Sequence, residues 1–132
     1  MPIEVSYSHE GAGVKFVGKG IITGEDLLEA NAYSYRSAEV VQRIRYFYND
    51  FLSADHTDIT QDELRTSIQQ DRAAAKHNKN VVVAIVAAEG LLFGMSRMYE
   101  ILAEDIPWET FTTTCEEEAK FWIKKKTGLE VL

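Results

Sequence analysis

Residues 81–87 of the chain, V-V-V-A-I-V-A, are apolar at every position. A strand that faces water on one side alternates apolar and polar residues, so a continuous apolar run is typical of a strand buried on both faces of a mostly parallel sheet. A helical pattern follows, in which apolar residues recur from Leu92 to Leu102 before Pro107 ends the helix. This stretch predicts an α/β fold.

The other strand patterns place a hairpin at the start of the chain. Residues 3–7 and 14–19 alternate around a glycine-rich turn, and residues 44–51 form an aromatic-rich strand pattern followed by a polar loop at 53–58. With the helices between them, the predicted order is β-β-α-β-α-β-α-β-α. Such an order indicates parallel strands joined by right-handed crossovers after the opening hairpin.

Helix starts are marked by threonines followed by acidic residues. Thr23 can accept the amide of Asp26, and T-Q-D-E from Thr60 and T-C-E-E from Thr114 have the full pattern of a capping box. We therefore expect helices to begin directly after these three threonines.

Length and charge limit the classes of protein that fit. The 132 residues predict a single domain over 1–132, and the net charge of -7 opposes binding to a phosphate backbone, so we expect no nucleic-acid partner. The single cysteine, Cys115, excludes an intrachain disulfide. No apolar run approaches the ~20 residues of a membrane span, and no secretory signal is visible, so the expected location is the cytoplasm.

Polar residues follow two neighbouring strands of the predicted sheet. Because the carboxyl ends of parallel strands meet at one edge, and a helix that opens at Gly90 offers free amides there, we expect a ligand or partner to bind at this edge. The alternative is a solvated loop whose side chains bond their own backbone. The candidate binding residues are Asp50, Ser53, Asp55, His56, Glu89, Gly90, Arg97 and Tyr99.

The residues that usually carry catalysis or bind cofactors are not arranged for either. Gly18, Gly20 and Gly24 have the wrong spacing for a dinucleotide loop, and the three histidines lie far apart in the sequence. We therefore expect no enzyme activity, no cofactor and no metal.

Two apolar surfaces leave alternatives open. The third predicted helix carries Met95 and Met98, which suit either a core or a groove for a lipid tail or a partner helix. Strand alternation places Phe47 on one face of the sheet and both Tyr46 and Tyr48 on the other. That second face suits a dimer contact, a ligand wall or a half-exposed edge of the core.

Four strings together resemble the SpoIIAA-like proteins of the STAS (sulfate transporter and anti-sigma antagonist) class, and most closely the short, stand-alone bacterial STAS-like or SEC14-like branch of unknown function. They are T-G-E-D-L-L-E-A at 23–30, D-I-T-Q-D-E-L-R at 58–65, V-V-A-I-V-A before Ala88 and L-F-G-M-S-R-M-Y-E at 92–100. The match covers nearly the whole chain. The resemblance implies a sheet wound with helices in a sequential superhelix, and a module that binds proteins, nucleotides or lipids without turning a substrate over.

One departure limits what the resemblance implies. Regulatory members carry a phosphorylatable serine in a D-S-S-G-type loop, where this chain reads S-A-D-H-T-D-I-T at 53–60, with Thr60 as the nearest hydroxyl. The sigma-factor role is therefore not carried over. We expect a non-catalytic STAS-like regulatory binding module with an unknown protein partner, and a homodimer is one possible assembly. The alternative is a carrier for a small apolar or anionic ligand, or for a lipid, with an apolar pocket near the third helix.

Overall fold

The strands form one sheet in which sequence neighbours are also spatial neighbours. The computed structural model describes residues 3–132, except for the side chains of residues 91 and 92, so the predicted apolar role of Leu92 lies outside the description. β1 pairs with β2 in an antiparallel hairpin, and all later pairs are parallel, which confirms the predicted α/β class. The strands, in spatial order, are β1 (Ile3–Ser8), β2 (Gly13–Thr23), β3 (Tyr46–Asp58), β4 (Val82–Val86) and β5 (Glu109–Thr113).

Helices cover both faces of the sheet. α1, α3 and α4 pack on one face and α5 packs on the other. The short helix α2 was not predicted; its N-cap Ser37 accepts the amide of Val40. Within residues 3–132, no helix has both the length and the apolar character needed to cross a membrane. The helices are α1 (Gly24–Ser34), α2 (Ala38–Arg43), α3 (Gln61–Ala75), α4 (Leu91–Leu102) and α5 (Glu116–Thr127).

Strand alternation divides the interior into two apolar clusters. In β4, Val83 and Ile85 face the larger cluster beneath α1, α3 and α4, while Ala84 and Val86 face the smaller cluster beneath α5. The continuous apolar run of this strand is therefore explained by burial on both faces, as predicted.

The face with the two tyrosines belongs to the smaller cluster. Tyr46 and Tyr48 are 1% and 0% exposed, and they pack with Ala119 and Ile123 of α5. The interpretation of this face as a dimer contact or a ligand wall is wrong, because the closing helix of the same chain covers it.

The predicted polar loop at 53–58 is part of a strand. β3 continues to Asp58 because β2 runs on to Thr23 and pairs with it, with Ser53 opposite Lys19 and His56 opposite Ile21. Backbone pairing between two long strands outweighs the low strand propensity of the polar residues.

Two of the three predicted threonine caps are present. Thr23 forms a full capping box with Asp26, and Thr60 forms one with Glu63, each with N–H···O distances of 2.9 and 3.1 Å. The third prediction is wrong: the N-cap of α5 is Cys115, which makes no side-chain cap hydrogen bond. The Cys115 amide instead donates to Thr113 Oγ1 at 3.1 Å, and the helix begins one residue later than predicted.

Candidate functional site

A cavity lies between the sheet and helices α1, α3 and α4. It has a volume of about 90 Å³ and is partly open to the surface. Apolar cavities of about 150 Å³ hold benzene, so this one accommodates a small chemical group or several waters. Most of its wall is apolar, and the sheet and the helices contribute Phe16, Ile22, Leu27, Phe51, Leu64, Val83, Ile85 and Met95.

A buried carboxylate stands in the wall of this cavity. Asp71 of α3 is 6% exposed, because it follows Leu64 and Ile68 on the core-facing side of the helix. Tyr35, the C-cap residue of α1, donates its hydroxyl hydrogen to Asp71 Oδ1, and Tyr99 of α4 donates to Oδ2, each at 2.5 Å. These three residues, which we call the Tyr–Asp–Tyr cluster, link the three helices that enclose the cavity.

Burial sets the protonation behaviour of the Tyr–Asp–Tyr cluster. It raises the pKa of the Asp71 carboxyl to about 6, although the hydrogen bonds from Tyr35 and Tyr99 act in the opposite direction. Burial together with the nearby Asp71 charge raises the pKa of both tyrosine hydroxyls well above the ordinary value. At neutral pH the two tyrosines keep their protons and the carboxyl is ionised.

No basic side chain of residues 3–132 forms an ion pair with Asp71. Arg72, the next residue along α3, points away and binds Asp105 through two hydrogen bonds of 3.0 Å. Two tyrosine hydroxyls are therefore the groups that the described structure shows stabilising the negative charge of Asp71.

Three aromatic rings of the cavity wall pack against one another. Tyr35, Phe47 and Trp108 lie with ring centroids 5.8 to 6.3 Å apart. The indole nitrogen of Trp108 donates to the Asn78 carbonyl at 2.7 Å, which fixes the orientation of that ring. Tyr35, which is hydrogen-bonded to the Asp71 carboxylate, is thus held in place by packing against Phe47 and Trp108.

A second polar group lines the cavity between α1 and α3. The Asn31 amide nitrogen donates to Ser67 Oγ at 2.9 Å and to Gln70 Oε1 at 3.1 Å. Both Asn31 protons are used in this way, so this side chain presents no free N–H donor to the cavity.

The residues predicted to bind at the sheet edge are mostly exposed. Ser53, Asp55 and His56 lie on the outer half of β3, and Glu89 is exposed in the turn before α4. The half-buried Asp50 accepts the Leu52 amide at 3.1 Å. Among the described contacts, no hydrogen bond or ion pair joins the β3 residues to that turn, so a shared site at this edge stays a prediction.

The predicted residues of α4 separate into two environments. Arg97 is exposed and pairs with Glu100 at 3.9 Å, so it is directed along its own helix rather than towards the sheet edge. Gly90 is the exposed N-cap of α4, with a φ of 120°. Tyr99 alone of the predicted set lines the cavity.

Asp71 is absent from the set of site residues predicted from the sequence. A signal for it was present, since an acidic residue lies at the helical spacing of Leu64 and Ile68, where the core-facing stripe of α3 needs an apolar side chain. Acidic residues are rarely buried unless they are paired, so an acidic residue on the apolar stripe indicates a candidate site residue.

The fold has a counterpart among solved structures. A scan against models of protein families finds no match, and a search of curated proteins finds no significant match. The crystal structure of an uncharacterized protein from the DUF3478 family with a SpoIIAA-like fold, from Shewanella loihica PV-4, aligns with a TM-score of 0.59 over 92% of this chain and 91% of that one, at 17% identity. The chain therefore has a SpoIIAA-like fold, as the sequence resemblance implied.

Proposed function

We propose that the chain is a non-catalytic binding module that holds a small, partly apolar ligand in the cavity beneath α1, α3 and α4. The observation that carries this proposal is a cavity with apolar walls and one buried carboxylate, Asp71, for which the described residues provide no basic partner. Burying an ionised group costs free energy unless other groups compensate it, and a ligand group at Asp71 supplies that compensation.

The proposal of a module without turnover rests on the groups that the cavity contains. No histidine or cysteine lines it within the described residues, and the Ser67 hydroxyl is engaged by Asn31 rather than by a base. Nucleophilic catalysis requires a nucleophile activated by a general base. The two hydrogen bonds described for the Asp71 carboxylate go to tyrosine hydroxyls rather than to a serine, which supports a role in binding.

The alternative raised from the sequence, a carrier with a pocket near the third helix, is the one that this geometry favours. Tyr99 and Met95 of that helix, now α4, line the cavity. A ligand that contacts the Tyr–Asp–Tyr cluster touches side chains from three helices at once. Occupancy can then bias how α4 packs, which is the kind of change that a regulatory module transmits.

The two tryptophans of the chain provide a direct test. Trp108 lines the cavity, whereas Trp122 stacks on Phe111 beneath the opposite face, with ring centroids 5.2 Å apart. In a ¹H–¹⁵N NMR titration with n-butanol, we expect the indole signal of Trp108 to shift saturably while that of Trp122 stays in place. Native mass spectrometry of the purified protein then shows whether a natural ligand is retained.

Neighbouring positions in β4 give matched variants for this titration. Val83→Phe places a ring in the cavity, and Val82→Phe places the same ring on the opposite face of the sheet. We expect the first variant to lose the Trp108 shift and the second to keep it. The proposal is wrong if butanol leaves Trp108 unchanged, or if Val83→Phe binds it as well as Val82→Phe does.

A further inference from the structure

We propose that the cavity selects ligands that carry a protonated amine on a small apolar group, with the ammonium at Asp71 and the hydrocarbon along the apolar wall. This inference deepens the proposed function and rests on it. It names the chemical class of the ligand from the groups that the Tyr–Asp–Tyr cluster leaves available.

Hydrogen-bond accounting shows what the cluster offers. Tyr35 and Tyr99 each use their single hydroxyl hydrogen to donate a hydrogen bond to Asp71, and an ionised carboxylate has no hydrogen to donate. The free positions of all three side chains are therefore lone pairs. A group that binds there has to be a donor, and an ammonium supplies three donors.

Charge points to the same class. The Asp71 carboxylate carries a negative charge with no cation paired to it among the described residues. Hydrogen bonds between an ionised donor and an ionised acceptor are about twice as strong as those between neutral groups. Tyr35, Phe47 and Trp108 also line the cavity, and aromatic rings attract a cation more strongly where water is excluded.

Other ligand classes fit this end of the cavity less well. An anion meets a negative charge and no free donor in the Tyr–Asp–Tyr cluster, which argues against the anionic ligand considered from the sequence. A divalent metal ion needs several oxygen ligands of its own, often from more than one carboxylate, and Asp71 is the one carboxylate among the described residues that line the cavity.

A matched set of probes tests the choice of class. n-Butylamine, n-butanol and butyrate share the same chain length and differ in the charge of the end group. We titrate each against the full chain at neutral pH and constant ionic strength, with the Trp108 indole signal as the readout and Trp122 as the reference. The amine is expected to bind at least about tenfold more tightly than the alcohol, and butyrate more weakly than both.

Asp71→Asn isolates the contribution of the charge. Asparagine keeps the size of the side chain, accepts from one tyrosine and donates to the other, so the variant is expected to fold. Its preference for the amine is expected to disappear. Asp105→Asn removes an exposed carboxylate that does not line the cavity and is expected to keep the preference.

The pH dependence of the unmodified chain provides a measurement that needs no variant. The titratable side chains that contact Asp71 are Tyr35, the C-cap residue of α1, and Tyr99 of α4. No other acidic and no basic side chain among the described residues lines the cavity. Because the pKa of Asp71 is about 6, amine binding is expected to weaken as the pH falls through that value, and butanol binding to stay constant.

The outcomes separate the two proposals. If butanol binds and butylamine binds no more tightly, the inference about the amine is wrong and the proposed binding cavity stands. An amine preference that survives Asp71→Asn also overturns the inference, because the charge then has another source. If none of the three probes shifts Trp108, both proposals fail.

Discussion

Gly24, the first residue of α1, lies against the carboxyl group of Glu63 in the first turn of α3. A Cβ atom built on Gly24 would overlap that carboxyl group, whose Oε1 accepts the Thr60 amide at 2.9 Å. The starts of α1 and α3, two of the three helices that enclose the cavity, are therefore packed together. The side of α1 that faces α3 has no room for a side chain at this position.

Gly24→Ala is expected to destabilise the fold by about 1 kcal/mol, because the added methyl displaces the end of the flexible Glu63 side chain from its capping position. Gly94→Ala in α4 is the control, since no heavy atom lies within 4 Å of a Cβ built there. That variant is expected to gain up to about 1 kcal/mol from improved helix propensity. Urea unfolding of both variants checks this, and equal stabilities would contradict the close packing of Gly24 on Glu63.

Two segments share the T-x-x-E pattern of a capping box, and they are expected to respond differently when the threonine is replaced. Thr60→Ala removes a side chain that accepts the Glu63 amide at 3.1 Å, so it is expected to lower the free energy of unfolding by about 1 kcal/mol and to leave ligand binding intact. Thr114→Ala removes an exposed hydroxyl that caps no helix and is expected to change stability by less than about 0.5 kcal/mol. Thermal unfolding of the pair measures the difference. Loss of binding in Thr60→Ala at unchanged stability would instead indicate a switch residue.

The fold was predictable because its signals are local or periodic. The apolar run at 81–87 identified the buried β4, and the capping box at Thr60 identified the start of α3. The polar composition of residues 53–58 predicts a loop, because the sequence does not show that β2 continues far enough to pair with them. Strand pairing over such a distance in the chain depends on the tertiary structure, not on the composition of either segment.

The candidate site was less predictable for a related reason. Tyr35, Asp71 and Tyr99 lie on three separate helices, and each follows its helical pattern without indicating the others. The density of polar residues at the sheet edge predicts a site there, but most of those side chains are exposed to solvent. Burial of a single acidic residue on an apolar stripe is the stronger signal, since it carries an energetic cost that the fold has to offset.

The closing helix provides a third prediction. Ile123 of α5 is 0% exposed and packs with Tyr46 and Tyr48 of the sheet, whereas Phe121 on the same helix is 70% exposed. Ile123→Ala is expected to cost about 2–4 kcal/mol through lost burial and the cavity left behind. Phe121→Ala is expected to stay within about 0.5 kcal/mol of the parent. Denaturant unfolding compares the two, and a large loss in Phe121→Ala with none in Ile123→Ala would mean that α5 packs through its other side.

Asp71 is expected to make stability depend on pH in the direction opposite to that of most carboxylates. Burial raises its pKa from 3.8 to about 6, so between these values the native state holds a proton that the unfolded chain has released. The contribution of this residue is fully present below about pH 4 and is lost as the pH rises through about 6. A shift of about two pKa units corresponds to a change of about 3 kcal/mol over that interval.

Asp71→Asn is the variant that measures this contribution, because it cannot ionise and keeps partners for both tyrosines. We expect it to match the parent near pH 4 and to exceed it in stability at pH 7 by about 2–3 kcal/mol. Urea unfolding at a series of pH values gives the difference directly. Asp105→Asn serves as the opposite control, since Arg72 lowers the pKa of Asp105 and its stabilising effect is lost as the pH falls. A difference between Asp71→Asn and the parent that stays constant from about pH 4 to pH 7 would show that the carboxyl is not held in an environment that disfavours its charge.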